Sequence, residues 1–327
     1  MTAAESAAGI ESVAGVVFAA GEGTRLRPLT LTLPKALCPV GNLPLLDHGL
    51  RRLASLGLVG PATVAVNASY LADQVVTHVG DRAHLSVEQD GPIGTSGGLA
   101  RLRPWLDGRA ALAGNADAYL HDPDRKPGKD IAALLDGWSG DTVRLLTLPC
   151  RPGETGGFSG QRFAGFSLIP WRYLKDLDDV DSSLVRTVWR PAEAAGDLEL
   201  ITYGGYYLDT GTPADYLTAN LHAAAAATAS TSASAPAPAS APAPASASAS
   251  ASASASASAS ASDSKTTAGL LAAPSATVTG TATYSVIGAG ASVEGTITRC
   301  VLLPGAHVPA GESLTDAIRT AGGLTIH

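Results

Sequence analysis

A long tract of small residues limits what this chain can fold into. From residue 223 to residue 268 the sequence is almost wholly alanine, serine, threonine and proline, with a long alternation of alanine and serine. Such a tract cannot bury a core, and it lacks the amphipathic period of a helix. We therefore predict a disordered linker at 223–268 between two folded parts, 13–222 and 269–327, with a flexible N-terminus at 1–12.

Charge and composition exclude several classes of protein. The net charge of −7 and the pI near 5.4 argue against binding nucleic acid through a basic surface. Residues 1–12 lack the basic and apolar regions of a signal peptide, and no apolar run reaches membrane-spanning length, so no membrane partner is expected. The three cysteines are scattered without metal spacing. We expect reduced thiols and a cytoplasmic location.

The first folded part opens with a pattern typical of a phosphate site. Residues 13–20 form an uncharged apolar run with β-branched side chains, which predicts a buried strand. The strand leads into a loop with two glycines and a threonine, whose backbone N–H groups can face an anion. Positive side chains come next in the chain, at Arg25, Arg27 and Lys35. A glycine turn beside cations favours phosphate binding.

Two common glycine motifs do not fit this loop. The dinucleotide fingerprint fails because Leu26 stands where that motif needs its third glycine. The Walker loop fails because no Gly-Lys-Ser/Thr follows. The residues A-A-G-x-G-T-R-L-x-P-L-T, with P-K shortly after, resemble the signature of the sugar-1-phosphate nucleotidyltransferases. This resemblance covers residues 13–222 and the tail from residue 278.

Strands and helices alternate through the first folded part. Apolar runs predict strands at 63–66, 84–88 and 110–113, and helical spacing predicts helices at 44–57, 69–79 and 99–106. Further on we predict strands at 143–148, 162–169, 198–202 and 206–208, with helices at 182–195 and 214–223. This order predicts a Rossmann-like α/β fold, in which helices cover both faces of a mostly parallel sheet.

Three polar segments follow predicted strands of this sheet. They are the opening loop, the segment Gln89–Gly98 and the segment Gly114–Asp117. Ligands of such sheets bind beyond the carboxyl ends of the strands, so we expect the three segments to form one site.

The resemblance implies a role for individual residues at this site. It implies two catalytic cations, Arg25 and Lys35. It implies that the nucleotide is bound by Ala20, Gly21, Gly23, Thr24, Gln89, Gly94 and Thr95, and the sugar phosphate by Asn115, Arg162 and Gly165. Asp117 and Asp209 match the metal-binding aspartates of the family, and the expected ion is Mg²⁺.

The resemblance also implies an activity. Nucleotidyl transfer from GTP, UTP or dTTP to a sugar 1-phosphate would yield an NDP-sugar and pyrophosphate. The mannose-1-phosphate guanylyltransferase branch is the first expectation, because the spacing from G-T-R-L-R-P-L-T to P-K and the tail both fit it. The alternative is a uridylyl- or thymidylyltransferase for another sugar 1-phosphate, of the glucose or N-acetylmuramate type.

The chain departs from the family pattern in one region. Many relatives carry Glu-Lys-Pro, whose lysine helps to hold the sugar phosphate, but residues Leu148–Glu154 of this chain contain no lysine. Arg151 or Arg162 could take its place. Without such a replacement, the chain would be a catalytically weak, regulatory paralogue that binds without turning over.

The tail has a different period. Ile287 and Val293 are six residues apart, as are Leu302, Val308 and Leu314, with small residues between them. This spacing resembles the hexapeptide repeat of left-handed parallel β-helices, and about two short coils fit. A module so small is expected to dock on something, so we predict a homo-oligomer that forms through this module.

Overall fold

The computed structural model describes residues 12–122, 129–154, 157–233 and 269–327. These residues fall into two compact units, one up to Ala219 and one comprising Asn220–Ile326. The predicted flexible N-terminus lies outside the described residues up to residue 11, and so does the predicted linker from residue 234 to residue 268.

A seven-stranded sheet forms the centre of the first unit. The strands of this unit, in chain order, are β1 (Val13–Phe18), β2 (Pro39–Val40), β3 (Leu43–Pro44), β4 (Val64–Ala68), β5 (His84–Val87), β6 (Ala110–Asn115), β7 (Ala118–His121), β8 (Val143–Pro149), β9 (Gln161–Ile169), β10 (Leu198–Thr202) and β11 (Tyr206–Asp209). The central sheet has the order β10-β8-β9-β6-β1-β4-β5. Only β9 runs against its neighbours in this sheet, so the predicted mostly parallel sheet is confirmed.

Helices cover both faces of this sheet. The helices are α1 (Leu45–Ser55), α2 (Ala72–Val79), α3 (Gly94–Arg101), α4 (Arg103–Leu106), α5 (Lys129–Ala132), α6 (Trp171–Leu174), α7 (Arg190–Ala195), which follows a π-helical turn at Val185–Trp189, and α8 (Pro213–Ala233). Successive residues of β1 point to opposite faces. Val17 belongs to the same apolar cluster as Leu53 of α1, whereas Val16 belongs to the cluster that contains Leu99 of α3.

Several elements differ from the sequence predictions, which did not include the short β2, β3, α5 and α6. Helix α3 begins at Gly94, five residues before the predicted start, because its glycines allow close packing: a Cβ on Gly97 would lie 2.5 Å from the Val180 carbonyl oxygen. Strand β7 was not predicted, and it pairs antiparallel with β11. Helix α8 begins in the first unit and ends within the second, at Ala233, so the first residues of the predicted linker are helical instead.

The second unit contains a stack of short parallel strands. These are β12 (Leu271–Ala272), β13 (Thr277–Val278), β14 (Thr281–Thr283), β15 (Val286–Ile287), β16 (Ser292–Val293), β17 (Thr296–Thr298), β18 (Val301–Leu302), β19 (His307–Val308), β20 (Ser313–Thr315), β21 (Ile318–Arg319) and β22 (Thr325–Ile326). They form three sheets, and each turn of the chain adds one strand to each sheet. Among the described strands of this unit, β22 alone pairs antiparallel.

This stack is a three-sided parallel β-helix, consistent with the predicted left-handed module. It has three full coils rather than the predicted two, because the coil from β12 to β14 turns small side chains such as Ala282 inward and so lacks the large apolar signal. Paired residues of successive coils are 15 residues apart in the first turns and 17 in the last, so the spacing of six is not uniform. Ile287, Val293 and Ile297 pack inward in one coil.

Among the described residues, no helix combines the length and the apolar character needed to cross a membrane.

Candidate active site

A cleft opens at the carboxyl ends of β1, β4 and β6. Its volume is about 360 Å³. Most of the site residues expected from the sequence line it, namely Ala20, Gly21, Gly23, Thr24, Arg25, Lys35, Gly94, Thr95, Asn115 and Asp117. The three predicted polar segments therefore contribute to one cleft, as parallel strands that end at the same edge require.

The glycine loop after β1 holds Lys35 in this cleft. Gly23 has a φ of +63°, and a Cβ at this position would lie 2.9 Å from the Cβ of Lys35. Thr30 donates a hydrogen bond from its hydroxyl to the carbonyl oxygen of Gly23 at 2.8 Å. A side chain at position 23 would therefore meet both backbone strain and a steric clash, which explains the need for glycine.

Lys35 joins two carboxylates at the cleft, of which Asp117 lines the cavity and Asp209 does not. Only 8% of the surface of Lys35 is exposed to solvent. The ammonium donates to Asp117 Oδ2 at 2.6 Å and to Asp209 Oδ1 at 3.5 Å. Arg25 lies farther out, with its guanidinium 3.7 Å from Asp209 Oδ2. The site thus contains two cations and two carboxylates within direct reach of one another.

The ribbon of β7 and β11 brings the two aspartates together. Its register places Asp209 opposite Ala118, the residue after Asp117. Thr210 adds a hydrogen bond from its hydroxyl to the backbone carbonyl oxygen of Asp117 at 3.1 Å. Burial and the nearby Asp117 carboxylate raise the pKa of Asp209 above its usual range, whereas Lys35 limits this rise. The pair therefore depends on a positive charge between its members.

The carboxylate pair fits a divalent cation. Within the described ranges, no group of three or more histidine, cysteine, aspartate and glutamate side chains could hold a metal ion. Mg²⁺, however, is commonly bound by one or two carboxylates and by substrate phosphates. Asp117 and Asp209 turn oxygens toward the same ammonium, so they offer that donor set to an ion shared with a phosphate.

One expected nucleotide-binding residue lies outside the cleft. Gln89 is exposed and does not line the cavity, whereas the preceding residue, Glu88, is buried. Asn67 and Phe18 line the cleft instead, and sequence reasoning missed both as site residues. The available signal was an amide in the otherwise apolar run of β4, where a buried polar side chain needs partners.

Comparison with known proteins assigns a family to this geometry. Residues 14–119 match the family model described as nucleotidyl transferase. The N-acetylmuramate alpha-1-phosphate uridylyltransferase of Neisseria meningitidis is 35% identical over 218 residues, which cover 60% of this chain and 92% of that protein. The chain belongs to the sugar-1-phosphate nucleotidyltransferases. The predicted family membership is confirmed.

Other relatives of this nucleotidyltransferase are longer. The mannose-1-phosphate guanylyltransferase of Mycobacterium tuberculosis is 28% identical over 235 residues, covering 63% of each chain. The mannose-1-phosphate guanyltransferase of Aspergillus fumigatus is 30% identical over 232 residues, covering 62% of each. The chain thus spans less than two thirds of the length of these relatives.

A solved structure supports the fold. A crystal structure described as a glucose-1-phosphate thymidylyltransferase of Bacillus anthracis superposes with a TM-score of 0.53 at 17% identity. The superposition covers 64% of this chain and 95% of that one. At this identity the likeness concerns the fold alone.

Two residues expected at the sugar phosphate lie behind the ribbon of this nucleotidyltransferase. Gly165 has a φ of +86°, and a Cβ there would lie 2.4 Å from the Cβ of Ala118. The guanidinium of Arg162 lies 5.4 Å from the centre of the Tyr207 ring, and its Nε is 3.7 Å from a Glu154 oxygen. Neither residue lines the cleft. Arg162 is therefore a neighbour of the site through Tyr207, and it does not project into the cavity.

Proposed function

We propose that this protein makes a nucleotide sugar and pyrophosphate from a nucleoside triphosphate and a sugar 1-phosphate. The observation that carries this proposal is the contact of Lys35, which lines the cleft beside the glycine loop, with both Asp117 and Asp209. A site of this kind combines cations for a polyphosphate with carboxylates for a metal ion, which is what phosphoryl and nucleotidyl transfer need.

In the proposed reaction an oxygen of the sugar phosphate attacks the α-phosphorus of the triphosphate. A new phosphorus–oxygen bond forms, and the bond between the α-phosphorus and the oxygen that bridges to the β-phosphate breaks. Pyrophosphate leaves with the electron pair. Lys35 and Arg25 neutralise the charge that grows on this leaving group, and the backbone of the Gly21–Gly23 loop lies beside the triphosphate.

We propose Mg²⁺ as the metal, held by Asp117 and Asp209. A bound Mg²⁺ would supply positive charge to the phosphates and help to align the attacking oxygen. Residues of the chain have the other roles. Lys35 keeps the two carboxylates close, and Arg25 approaches the outer phosphates. Asn115 faces the cleft from the end of β6.

The first candidate for the substrates is GTP with mannose 1-phosphate. Its support is the similarity to guanylyltransferases of bacteria and fungi that are named for mannose 1-phosphate. The second candidate is UTP with N-acetylmuramate 1-phosphate. The uridylyltransferase of Neisseria meningitidis favours it, because that relative is 35% identical and is matched over 92% of its length. A thymidylyltransferase for glucose 1-phosphate remains a third combination.

The test measures pyrophosphate release from every combination of GTP, UTP and dTTP with the three sugar 1-phosphates, in the presence of Mg²⁺. We expect one combination to exceed the others by at least about tenfold in kcat/KM, because one mismatched polar contact costs that much. If no combination releases pyrophosphate but the protein still binds a triphosphate, the enzymatic proposal is overturned in favour of a regulatory binding protein.

We also propose that the protein acts in the cytoplasm and that the β-helix module joins copies of the chain. A module of so few coils buries little surface by itself, and packing against a second copy would bury more. Light scattering during size-exclusion chromatography of the full chain tests the assembly, and a monomeric mass at all concentrations would exclude it.

A further inference from the structure

A buried carboxylate lies directly behind the cleft without touching it. Glu88 follows β5, and only 2% of its surface is exposed. Its Oε1 accepts a hydrogen bond from Asn67 Nδ2 at 2.7 Å, and its Oε2 accepts one from the backbone N–H of Ile93 at 3.0 Å. Burial raises the pKa of Glu88, and these two donors oppose the rise. Burying a carboxylate costs free energy unless hydrogen bonds compensate for the water that it loses.

The contact with Glu88 determines which way the Asn67 amide points. An ionised carboxylate only accepts hydrogen bonds, so the NH₂ group of Asn67 must face Glu88. The Asn67 carbonyl then faces the opposite way and accepts the backbone N–H of Ala19 at 2.8 Å. Reversing the amide would set a donor against the Ala19 N–H and an acceptor against the carboxylate, leaving both buried contacts unmade.

We propose that Glu88 is a positioning residue for nucleotide binding, which fixes two walls of the cleft through hydrogen bonds from Asn67 and Ile93. One wall is the end of β1, reached through Asn67, and the other is the start of α3, reached through Ile93. Ala19 and Gly94 line the cleft at these two points. This inference rests on the proposed function, since it concerns the part of the cleft assigned to the triphosphate and base.

The packing around the contact of Glu88 with Asn67 is tight. A Cβ on Gly98 would lie 2.9 Å from Asn67 Nδ2 and 3.3 Å from Glu88 Oε1. The backbone of Glu88 is held independently of its side chain, because its N–H donates to the Ala68 carbonyl at 2.8 Å and its carbonyl accepts from Ser69 Oγ at 2.9 Å. The side-chain contacts can therefore be changed while the backbone stays anchored.

The test inverts the direction of the hydrogen bonds. In Glu88→Gln, a new NH₂ group must face either the Asn67 NH₂ group or the Ile93 N–H, so one donor meets another. In Asn67→Asp, two carboxylates meet. In the double variant the new amide at position 88 donates to the new carboxylate at position 67, and its oxygen still accepts from Ile93. The new carboxylate still accepts from Ala19, so all four groups regain partners.

The measurement is calorimetric binding of GTP, UTP and dTTP with Mg²⁺, together with KM and kcat for the triphosphate that supports turnover. We expect each single variant to weaken triphosphate binding by at least about tenfold, and the double variant to return to within about threefold of wild type. The loss should appear in KM much more than in kcat, because Glu88 does not touch the reacting atoms.

Two controls separate positioning from general stability. Ser69→Ala removes the bond to the Glu88 backbone and leaves the carboxylate in place, so it should change triphosphate affinity by less than about twofold even if it lowers the melting temperature. Asp81→Asn changes an exposed residue shortly before β5 that does not line the cleft, and it should also bind as wild type does.

Three results would overturn the inference. The first is wild-type affinity in Glu88→Gln. The second is a double variant that binds no better than the weaker single variant. The third is a triphosphate affinity that falls together with the melting temperature across all variants, including Ser69→Ala. If a single variant does not fold, the triphosphate affinity of the folded double variant still tests the inference. A wild-type protein that binds none of the three triphosphates would instead remove the proposed function, and this inference with it.

Discussion

The two folded units bring polar side chains together in different ways. In the first unit, Lys35, which lines the cleft, contacts aspartates that are 82 and 174 residues away in sequence. In the second unit, polar pairs join successive coils, such as Ser292 with His307, which are 15 residues apart. Arg299 and Asp316, an ion pair between successive coils, have side chains that are 48% and 50% exposed. The pair of Arg319 with Glu312 lies within one turn of the same unit, and its Arg319 side chain is only 10% exposed.

This difference shows how the two architectures limit function. A contact between distant segments forms only when the whole sheet is folded, but it can enclose charges that water would otherwise screen. A contact between neighbouring coils requires only that one further repeat folds. It lies on a solvated face, however, where an ion pair contributes little to stability. We therefore expect substitutions in the cleft to change chemistry and substitutions in the stack to change local stability.

The largest expected effect belongs to Asp117→Asn. The substitution removes a charge that faces Lys35 and that would hold the metal, so we expect kcat to fall by about 10³-fold or more while the melting temperature stays similar. Asp209→Asn should behave likewise. Pyrophosphate release measures both. The matched control is Asp90→Asn, an exposed aspartate outside the cleft, which should keep full activity. Normal turnover in Asp117→Asn would remove that residue from the site.

The next effect is that of Lys35→Arg. If only positive charge mattered, arginine would serve, but the planar guanidinium is too large for the space between two carboxylates and a crowded phosphate. We expect a loss of about 10²-fold or more, mainly in kcat, because the contact strengthens as charge moves to pyrophosphate. Arg27→Lys, at an exposed arginine of the same loop, provides the control. Near wild-type kinetics for Lys35→Arg would make this lysine peripheral.

A smaller and local effect is expected for Ile297→Ala in the stack. Ile297 is fully buried in β17, and its truncation should cost about 2–4 kcal/mol of the unfolding free energy of this unit. Hydrogen exchange should rise in peptides covering 281–303 and stay unchanged in peptides covering β1 and β6. Thr296→Ala, at the exposed neighbour, should change neither. Equal loss of protection in both units would contradict the contrast drawn between them.

The smallest effect is expected from deleting residues 236–262. Their composition offers nothing to bury, so the melting temperature of each unit should change by less than the scatter of replicate scans. Calorimetry of the shortened chain tests this. A drop of many degrees would mean that the tract packs against a folded unit, and the predicted boundaries would then be wrong.

The sequence alone determined the order of the main elements and the family. Apolar runs such as 13–20 and 110–113 predict strands because side chains that leave water must share a face, and this requirement is local. The glycine loop with Lys35 could also be predicted from the sequence, since a tight turn beside cations is a local pattern. Spacing likewise revealed the β-helix, although only where the inward residues are large.

Only the tertiary structure decided how distant residues meet. The sequence placed Gln89 in the site, but the strand it follows turns Glu88 inward and leaves Gln89 in water. It also gave no sign that β7 and β11 would pair and set Asp209 beside Asp117. Helix α3 starts at Gly94 because Val180, far along the chain, packs against Gly97. Such contacts depend on strand order and on the space between packed elements, and neither is encoded in the spacing of neighbouring side chains.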